Sequence, residues 1–173
     1  MQVSLRLRGI EVAYAKSVVL RVSELSLQGK VIAIIGHNGS GKSTLLKTLL
    51  GLLVPKKGLL HIEGKSSTQN VLLDPRKHMA FSPEGGAIFS DITVEGYLRL
   101  WCRLKHGQAD YYLRDGLRFV EIFELLPLMN KLGRQLSKGE RRRVQTAVGF
   151  IIDPLLFLFD EPFDGLDIVQ TAR

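Results

Sequence analysis

The first thirty residues alternate apolar and polar positions with the period of two that half-buried strands show. Over 3–14, the apolar residues Val3, Leu5 and Leu7 are separated by polar ones, and 18–22 repeats the same period. Two successive segments of this kind favour strands that pair with each other and bury one face. We therefore predict a small antiparallel sheet at the start of the chain.

Two other segments are continuously apolar and read as strands buried on both faces. The first, 30–35, is rich in β-branched residues and ends at Gly36. The second, 155–159, ends at the acidic pair Asp160 and Glu161. Strands of a parallel sheet covered by helices on both sides have this composition.

Four further segments carry apolar residues at helical spacing. They cover 42–50, 93–105, 109–126 and 137–152. Shorter strand patterns lie at 58–63 and 79–81, with a polar loop over 64–77 between them. The order of elements predicts an α/β fold with a mainly parallel core sheet flanked by helices, an N-terminal antiparallel β subdomain, and a helical insert over about 90–150.

The composition suits one soluble domain of ordinary size. Of 173 residues, 45% are hydrophobic, which provides enough apolar material for a core. The single cysteine, Cys102, excludes an intramolecular disulfide. The apolar stretch 147–159 is too short to span a bilayer and is interrupted by Asp153 and Pro154. We expect a cytoplasmic protein that reaches the inner or plasma membrane only through a partner.

The net charge of +7 suggests an anionic partner. Part of the excess lies in 131–143, where six basic residues accompany one acidic residue. Nucleotide, nucleic acid and an acidic membrane surface would all satisfy this charge, and a solvated helix face remains the plainer interpretation for the arginines.

The segment 36–44 satisfies the phosphate-loop pattern G-x-x-x-x-G-K-[ST] and lies between a predicted strand and a predicted helix. Inward-pointing backbone N–H groups and the helix N-terminus favour bound phosphate, Lys42 would reach the β and γ phosphates, and the Ser43 hydroxyl is a natural Mg²⁺ ligand. The predicted nucleotide-binding residues of this loop are Gly36, Asn38, Gly39, Ser40, Gly41, Lys42, Ser43 and Thr44.

The carboxylates that follow the second apolar strand complete a phosphoryl-transfer site. Asp160 is predicted to hold Mg²⁺, and Glu161 to polarise the attacking water. An acidic strand end alone is a weak signal, because strands often end in solvated acids. Its position more than a hundred residues after a phosphate loop makes it specific.

The segment 136–141, LSKGER, resembles the L-S-G-G-Q signature of ATP-binding cassette (ABC) ATPases. Tyr14 matches the aromatic residue that stacks on adenine, 81–84 matches a loop that usually ends in Gln, and 165–167 matches the loop after the acidic pair. The resemblance implies a P-loop NTPase fold in which Ser137 and Gly139 contact the γ-phosphate of ATP held by a second nucleotide-binding domain, in a head-to-tail dimer.

Several residues depart from the family pattern. Glu84 replaces the Gln, and a carboxylate can ligate Mg²⁺ but cannot donate a hydrogen bond. Lys138 and Glu140 depart from the signature. Ser137 with Glu140 also forms an S-x-x-E capping box, so a purely structural role for the pair is open. Tyr14 at a strand end has plain packing as its alternative.

The resemblance implies an ATPase that uses ATP and Mg²⁺ and powers a separate integral membrane transporter subunit. Glu84 and 91–95 resemble the exporter-type variant, and Trp101 in the insert is a candidate membrane-partner contact, with ordinary core packing as its alternative. Two other functions remain open: a non-transport ABC ATPase acting on nucleic acid or the ribosome, which one short cassette argues against, and a degenerate cassette that binds ATP without turnover.

The resemblance also implies a switch histidine beyond 165–167, whereas all four histidines lie upstream. We therefore expect residues 1–173 to be a single ABC-type nucleotide-binding domain that is C-terminally incomplete and possesses little turnover by itself.

Overall fold

A computed structural model describes residues 2–65, 70–72, 74, 78–85 and 87–161. The chain divides into two compact units, with the boundary between Met79 and Ala80. The predicted loop 165–167 lies outside the described residues.

The first unit is built on a four-stranded antiparallel sheet of order β2-β1-β3-β4. The elements of this unit that the described residues define are β1 (Gln2–Tyr14), β2 (Ser17–Gly29), α1 (Lys42–Leu49), β3 (Lys57–Lys65) and β4 (Asn70–Leu72). The alternation predicted for β1 is confirmed, because Val3, Leu5 and Leu7 are all buried on one face. β4 lies inside the predicted loop 64–77, where its three residues are too few to produce a visible pattern.

The buried strand predicted over 30–35 is wrong. The segment has no regular secondary structure, and the side chains of Val31 and Ile35 are 91% and 94% exposed. A strand with two buried faces needs hydrogen-bonded neighbours, and no strand of the described part of the chain pairs with this segment. The β-branched residues of this segment therefore favour a strand by composition, but the segment does not form one.

The second unit combines a two-stranded sheet with the helical insert. After β5 (Met79–Ser82), its elements are α2 (Val94–His106), α3 (Tyr111–Arg114), α4 (Leu117–Ile122), two 3-10 turns (Leu126–Leu128 and Gly133–Gln135), α5 (Lys138–Ile151) and β6 (Leu156–Phe159). The predictions for β5, α2, α5 and β6 are confirmed to within two residues at each end.

The single helix predicted over 109–126 is wrong, because the structure breaks it into α3, α4 and a 3-10 turn. Gly116 interrupts it where the chain passes close to α5: a Cβ there would lie 2.9 Å from Ile151 Cγ2. Glu124, with φ of 49°, then ends α4 in the left-handed region. The apolar spacing was helical throughout, but close packing at one glycine and a reversal at one glutamate divided the segment.

The core of the second unit lies between α2, α5 and the short helices. Tyr97, Leu98, Val144 and Ala147 are almost fully buried in it. Trp101 is half-buried, packs against this core and meets the Tyr97 ring edge-on, with 6.1 Å between ring centroids.

Close packing joins the C-terminal half of α5 to β6. At Gly149 a Cβ would lie 2.0 Å from Phe157 Cζ, so the ring occupies the space that a side chain would need. Phe157 stacks on Phe159 with 4.0 Å between centroids and meets Phe150 edge-on at 5.1 Å. Glycine at this position is therefore a condition for the aromatic cluster that holds β6 against the helix.

Gly149→Ala should lower the free energy of unfolding by about 1–3 kcal/mol, because overpacking displaces the Phe157 ring. Chemical denaturation monitored by circular dichroism would measure the loss. Gly139→Ala on the same helix is the matched control, since a Cβ there meets nothing within 4 Å and alanine favours helix. Equal stability of the two variants would show that the Phe157 contact does not constrain position 149.

Candidate functional site

The phosphate-loop residues form a tight loop that leads directly into α1. The Ser40 N–H donates to the His37 carbonyl over 3.2 Å, and His37 Nδ1 donates to the Asn38 carbonyl over 2.9 Å. Gly39 and Gly41 have φ of 80° and 93°, in the region where residues with a Cβ are strained. The glycines of the motif thus permit the turn that the sequence predicted.

Short distances to neighbouring atoms are a second reason why this loop needs glycine. At Gly36 a Cβ would lie 2.7 Å from Ser40 Oγ, and at Gly41 it would lie 3.2 Å from Leu20 Cδ1. The loop is therefore compact between the Gly36 backbone and β2. A larger residue at either position would open it.

Lys42 folds back across this loop. Its Nζ donates to the carbonyls of Gly36 and His37 over 2.8 and 3.1 Å. An ammonium group has three N–H donors, so one remains for an anion. The contacts hold the charge over the loop and the N-terminus of α1.

The N-terminus of α1 is suited to an anion. Its N-cap is Gly41, which has no side chain with which to cap the first-turn N–H groups, and no acidic residue lies in that turn. Ser43 and Thr44 stand in the first turn, half-buried, so a hydroxyl lies at the position where the motif requires one. Backbone donors, an ammonium and hydroxyl oxygen form a set that fits the phosphates of a nucleotide and a bound Mg²⁺.

The predicted acids lie where two parallel strands end. The Asp160 N–H donates to the Ser82 carbonyl over 2.9 Å, so the carboxyl ends of β6 and β5 are neighbours and the strands run in the same direction. Asp160 is buried, Glu161 is half-buried, and Glu84 is exposed two residues beyond Ser82. The structure thus brings the three predicted carboxylates to one edge of the small sheet.

Glu161 carries an unusual backbone conformation. Its φ is 50°, a left-handed geometry that costs a residue other than glycine about 1–2 kcal/mol. Strain of this kind collects at functional positions, where the surrounding structure enforces it. That the phosphate loop meets these acids stays a prediction, because the loop belongs to the first unit and the acids belong to the second.

The signature segment begins α5. The Ser137 hydroxyl accepts the Glu140 N–H over 3.1 Å, and Glu140 Oε2 accepts the Ser137 N–H over 2.8 Å, so the predicted capping box is confirmed. The Ser137 hydroxyl also lies beside the Glu140 carboxylate and contributes to the lowered pKa of that group. Gly139 is exposed and would give a Cβ open space. A ligand can therefore approach the helix end while the cap remains formed.

Glu140 is held from a second side. Its Oε1 accepts Lys131 Nζ over 2.9 Å. The Ser137 backbone N–H, followed by the Lys131 ammonium, lowers the pKa of the Glu140 carboxyl below its ordinary range. Glu140 is accordingly ionised at neutral pH.

Tyr14 lies at the end of β1, where the chain turns into β2. The residue is 50% exposed. The turn residue Ala15 has φ of 51°, and its carbonyl accepts Lys56 Nζ over 2.7 Å. A fixed turn thus presents an accessible aromatic face.

Sequence reasoning missed a buried polar network that holds the loop after β5. The Arg142 guanidinium donates to the Glu84 carbonyl, and Gln145 Nε2 donates to the Phe81 carbonyl over 3.3 Å. The Tyr97 hydroxyl lies 2.8 Å from the Ala87 carbonyl and 2.9 Å from Gln145 Oε1. The available signal was the polar pair Arg142 and Gln145 on the inward face of α5, among apolar residues at helical spacing.

The basic residues of 131–143 are engaged within the protein. Lys131, Arg134 and Arg143 form ion pairs with Glu140, Asp91 and Glu124 respectively, and Arg141 donates to the Gly133 carbonyl. These four basic side chains therefore make local contacts within the protein and do not form a stripe of unpaired charge.

In the part of the chain that the structure describes, no helix has the length and hydrophobicity needed to cross a bilayer.

Comparison with known proteins agrees with the signature. A family model described as "ABC transporter" matches residues 21–164, well over half of the chain. ABC transporter G family member 23 of Dictyostelium discoideum is 32% identical over 146 residues, which are 84% of this chain and 21% of that protein. The ABC-type organic anion transporter ABCA8A of Mus musculus is 36% identical over 147 residues, which are 84% of this chain and 9% of that protein.

Comparison of the fold with solved structures agrees with the comparison of sequences. A solved structure titled "Structure of ATP binding subunit of ABC transporter" superposes with a TM-score of 0.77 and 27% identity, covering 98% of this chain and 70% of that one. The predicted α/β fold is confirmed by this likeness together with the antiparallel N-terminal sheet and the parallel β5 and β6. The chain spans about a fifth or less of the two curated relatives, and it belongs to the ABC transporter family with the α/β P-loop fold of an ATP-binding subunit.

Proposed function

We propose that the chain is a nucleotide-binding domain that hydrolyses Mg-ATP and thereby drives a membrane transporter. The observation that carries this proposal is the phosphate loop: glycines at positive φ, an N-terminus of α1 without a side-chain cap, and the Lys42 ammonium folded over both. Family membership supports the same function. In this proposal Tyr14 is the surface on which adenine stacks.

The chain's own residues divide the chemistry between binding and hydrolysis. Lys42 and the loop N–H groups bind the phosphates, and Ser43 and Asp160 would hold Mg²⁺, with Glu84 as a further candidate oxygen ligand. Glu161 accepts a proton from the attacking water and orients it. When bound, Mg-ATP supplies the transferable phosphoryl group and a divalent charge that offsets the charge on its oxygens.

A second nucleotide-binding domain completes the site in this proposal. Ser137 and Gly139 at the accessible end of α5 would meet the γ-phosphate of ATP held by that second domain, head to tail. The open approach to Gly139 supports the contact.

The transporter partner is proposed to be a separate integral membrane subunit, with this domain peripheral to the cytoplasmic face of the membrane. Glu84 and 91–95 are the residues that favour an exporter.

Lys42→Ala should weaken Mg-ATP binding by about ten- to a hundredfold, because it removes charge-assisted hydrogen bonds to phosphate. Titration with a fluorescent ATP analogue would measure the dissociation constant. Lys47→Ala, an exposed lysine on the same helix, is the matched control and should bind as the unaltered protein does. Unchanged affinity in Lys42→Ala would remove the phosphate loop from the proposed site.

Glu161→Gln should keep nucleotide affinity and reduce turnover by about a hundredfold or more, the range typical of a lost general base. Phosphate release by the intact protein with its membrane partner would measure turnover. Glu121→Gln on the exposed face of α4 is the charge-matched control. Absence of turnover in the unaltered protein, with ATP still bound, would favour the degenerate cassette instead.

The polar network around 81–87 is proposed to keep Glu84 in place. Burial raises the pKa of the Tyr97 hydroxyl, so it stays protonated and its single O–H is shared between two acceptors, the Ala87 carbonyl and Gln145 Oε1. Buried acceptors that lose their donor have no water to replace it. The loop that carries Glu84 therefore depends on a hydroxyl thirteen residues along the chain.

Tyr97→Phe should lower the free energy of unfolding by about 1–3 kcal/mol, the cost of leaving such an acceptor unsatisfied. It should also raise the Mg²⁺ concentration needed for half-maximal turnover, since Glu84 is held less firmly. Denaturant unfolding and Mg²⁺ titration of ATPase activity measure the two effects. Tyr111→Phe, on the ring that stacks against His106, is the control, and equal values for both variants would contradict the assigned role.

A further inference from the structure

Glu140 introduces a negative charge at the proposed phosphate contact. The family signature has a neutral Gln where this chain has Glu140. The carboxylate does not point away from the helix end: its Oε2 lies 2.8 Å from the backbone nitrogen of Ser137, the residue proposed to contact the γ-phosphate. An uncompensated carboxylate at this place would repel the phosphate and oppose the attraction of the α5 N-terminus for anions.

Lys131 supplies the opposite charge at the other carboxylate oxygen. The distance from its Nζ to Glu140 Oε1 is 2.9 Å, and the Glu140 side chain is 23% exposed. Ion pairs that are partly withdrawn from water are screened less than fully exposed ones. The pair therefore has no net charge at the helix end.

The backbone of Lys131 is anchored, which distinguishes it from an ordinary surface lysine. Its carbonyl accepts the Val94 N–H over 3.0 Å, and the next residue, Leu132, forms a bridge with Thr93. Both contacts tie it to the first turn of α2. The ammonium therefore approaches Glu140 from a fixed segment and limits the positions that the carboxylate can take.

We propose that Lys131 is a positioning residue of the signature, which neutralises and orients Glu140 so that the N-terminus of α5 still accepts a phosphate from the partner domain. The inference rests on the proposed function, since it assumes that Ser137 and Gly139 meet that phosphate. It assigns a role to a residue outside the signature and explains how Glu140 is tolerated within it. Glu140 itself keeps the capping role that a glutamine oxygen would also fill.

The test compares four forms of the intact protein, each carrying Glu161→Gln so that bound ATP persists. They are the parent, Lys131→Met, Glu140→Gln, and the double variant. Static light scattering during Mg-ATP titration measures domain association, and a fluorescent ATP analogue measures nucleotide affinity under dilute conditions where the domains stay apart. Arg134→Met is the matched control, because it removes one charge from the same segment but pairs with Asp91.

Lys131→Met should raise the Mg-ATP concentration for half-maximal association by about fivefold, as expected for one partly exposed charge interaction. Adding Glu140→Gln should restore the parent value, because the repelling charge is gone and the cap remains. High salt should reduce the difference between Lys131→Met and the parent in the Mg-ATP concentration needed for half-maximal association. The nucleotide affinity of the separated domains serves as the reference for phosphate-loop function. The unfolding midpoint of Arg134→Met serves as the reference for folding.

Two results would overturn the inference while leaving the proposed function intact. One is association of Lys131→Met at the parent's ATP concentration. The other is a defect that Glu140→Gln fails to repair, which would mean that Lys131 only supports the fold. If the parent itself bound no Mg-ATP, the proposed function would fail and the inference with it. If the parent bound Mg-ATP without associating, the inference and the proposed head-to-tail contact would both fail, while the proposed phosphate-loop site would stand.

Discussion

Carbonyl groups of β5 and of the loop after it accept hydrogen bonds from side chains of the two long helices of the second unit. Arg142 and Gln145 on α5 and the Tyr97 hydroxyl on α2 provide those donors. The donating side chains Tyr97, Arg142 and Gln145 are buried, and buried polar groups need hydrogen-bond partners, so these bonds constrain how the two helices stand relative to the loop. The positions of Glu84 and of the α5 N-terminus both follow from it.

The N-terminus of α5 shows how one set of contacts serves stability and ligand approach together. Ser137 and Glu140 satisfy each other's backbone N–H groups, which stabilises the helix without closing its end. Lys131 donates to the other carboxylate oxygen of Glu140, and the space beside Gly139 remains open. Departures from a family pattern can thus be matched by residues elsewhere, and the matching residue is visible only in three dimensions.

Local signals predicted a large part of this protein. The alternation in β1, the glycines and Lys42 of the phosphate loop, and the capping box at Ser137 each depend on residues close in sequence, where chain geometry decides the outcome. The failures share a cause as well. The segment 30–35 required neighbouring strands that sequence cannot display, and the break at Gly116 came from a contact with Ile151, thirty-five residues away. Arg142 and Gln145 were missed for the same reason, since their partners at 81–84 lie on another element.

The indole of Trp101 has a use that follows from its neighbours. It is the only tryptophan in the chain, and its ring meets edge-on the same Tyr97 whose hydroxyl holds the loop of Glu84. Ultraviolet excitation of this tyrosine can pass to the indole across 6.1 Å, so the emission spectrum contains a contribution from this contact without any attached dye. The protein therefore contains its own optical probe of the place where the insert meets the candidate site.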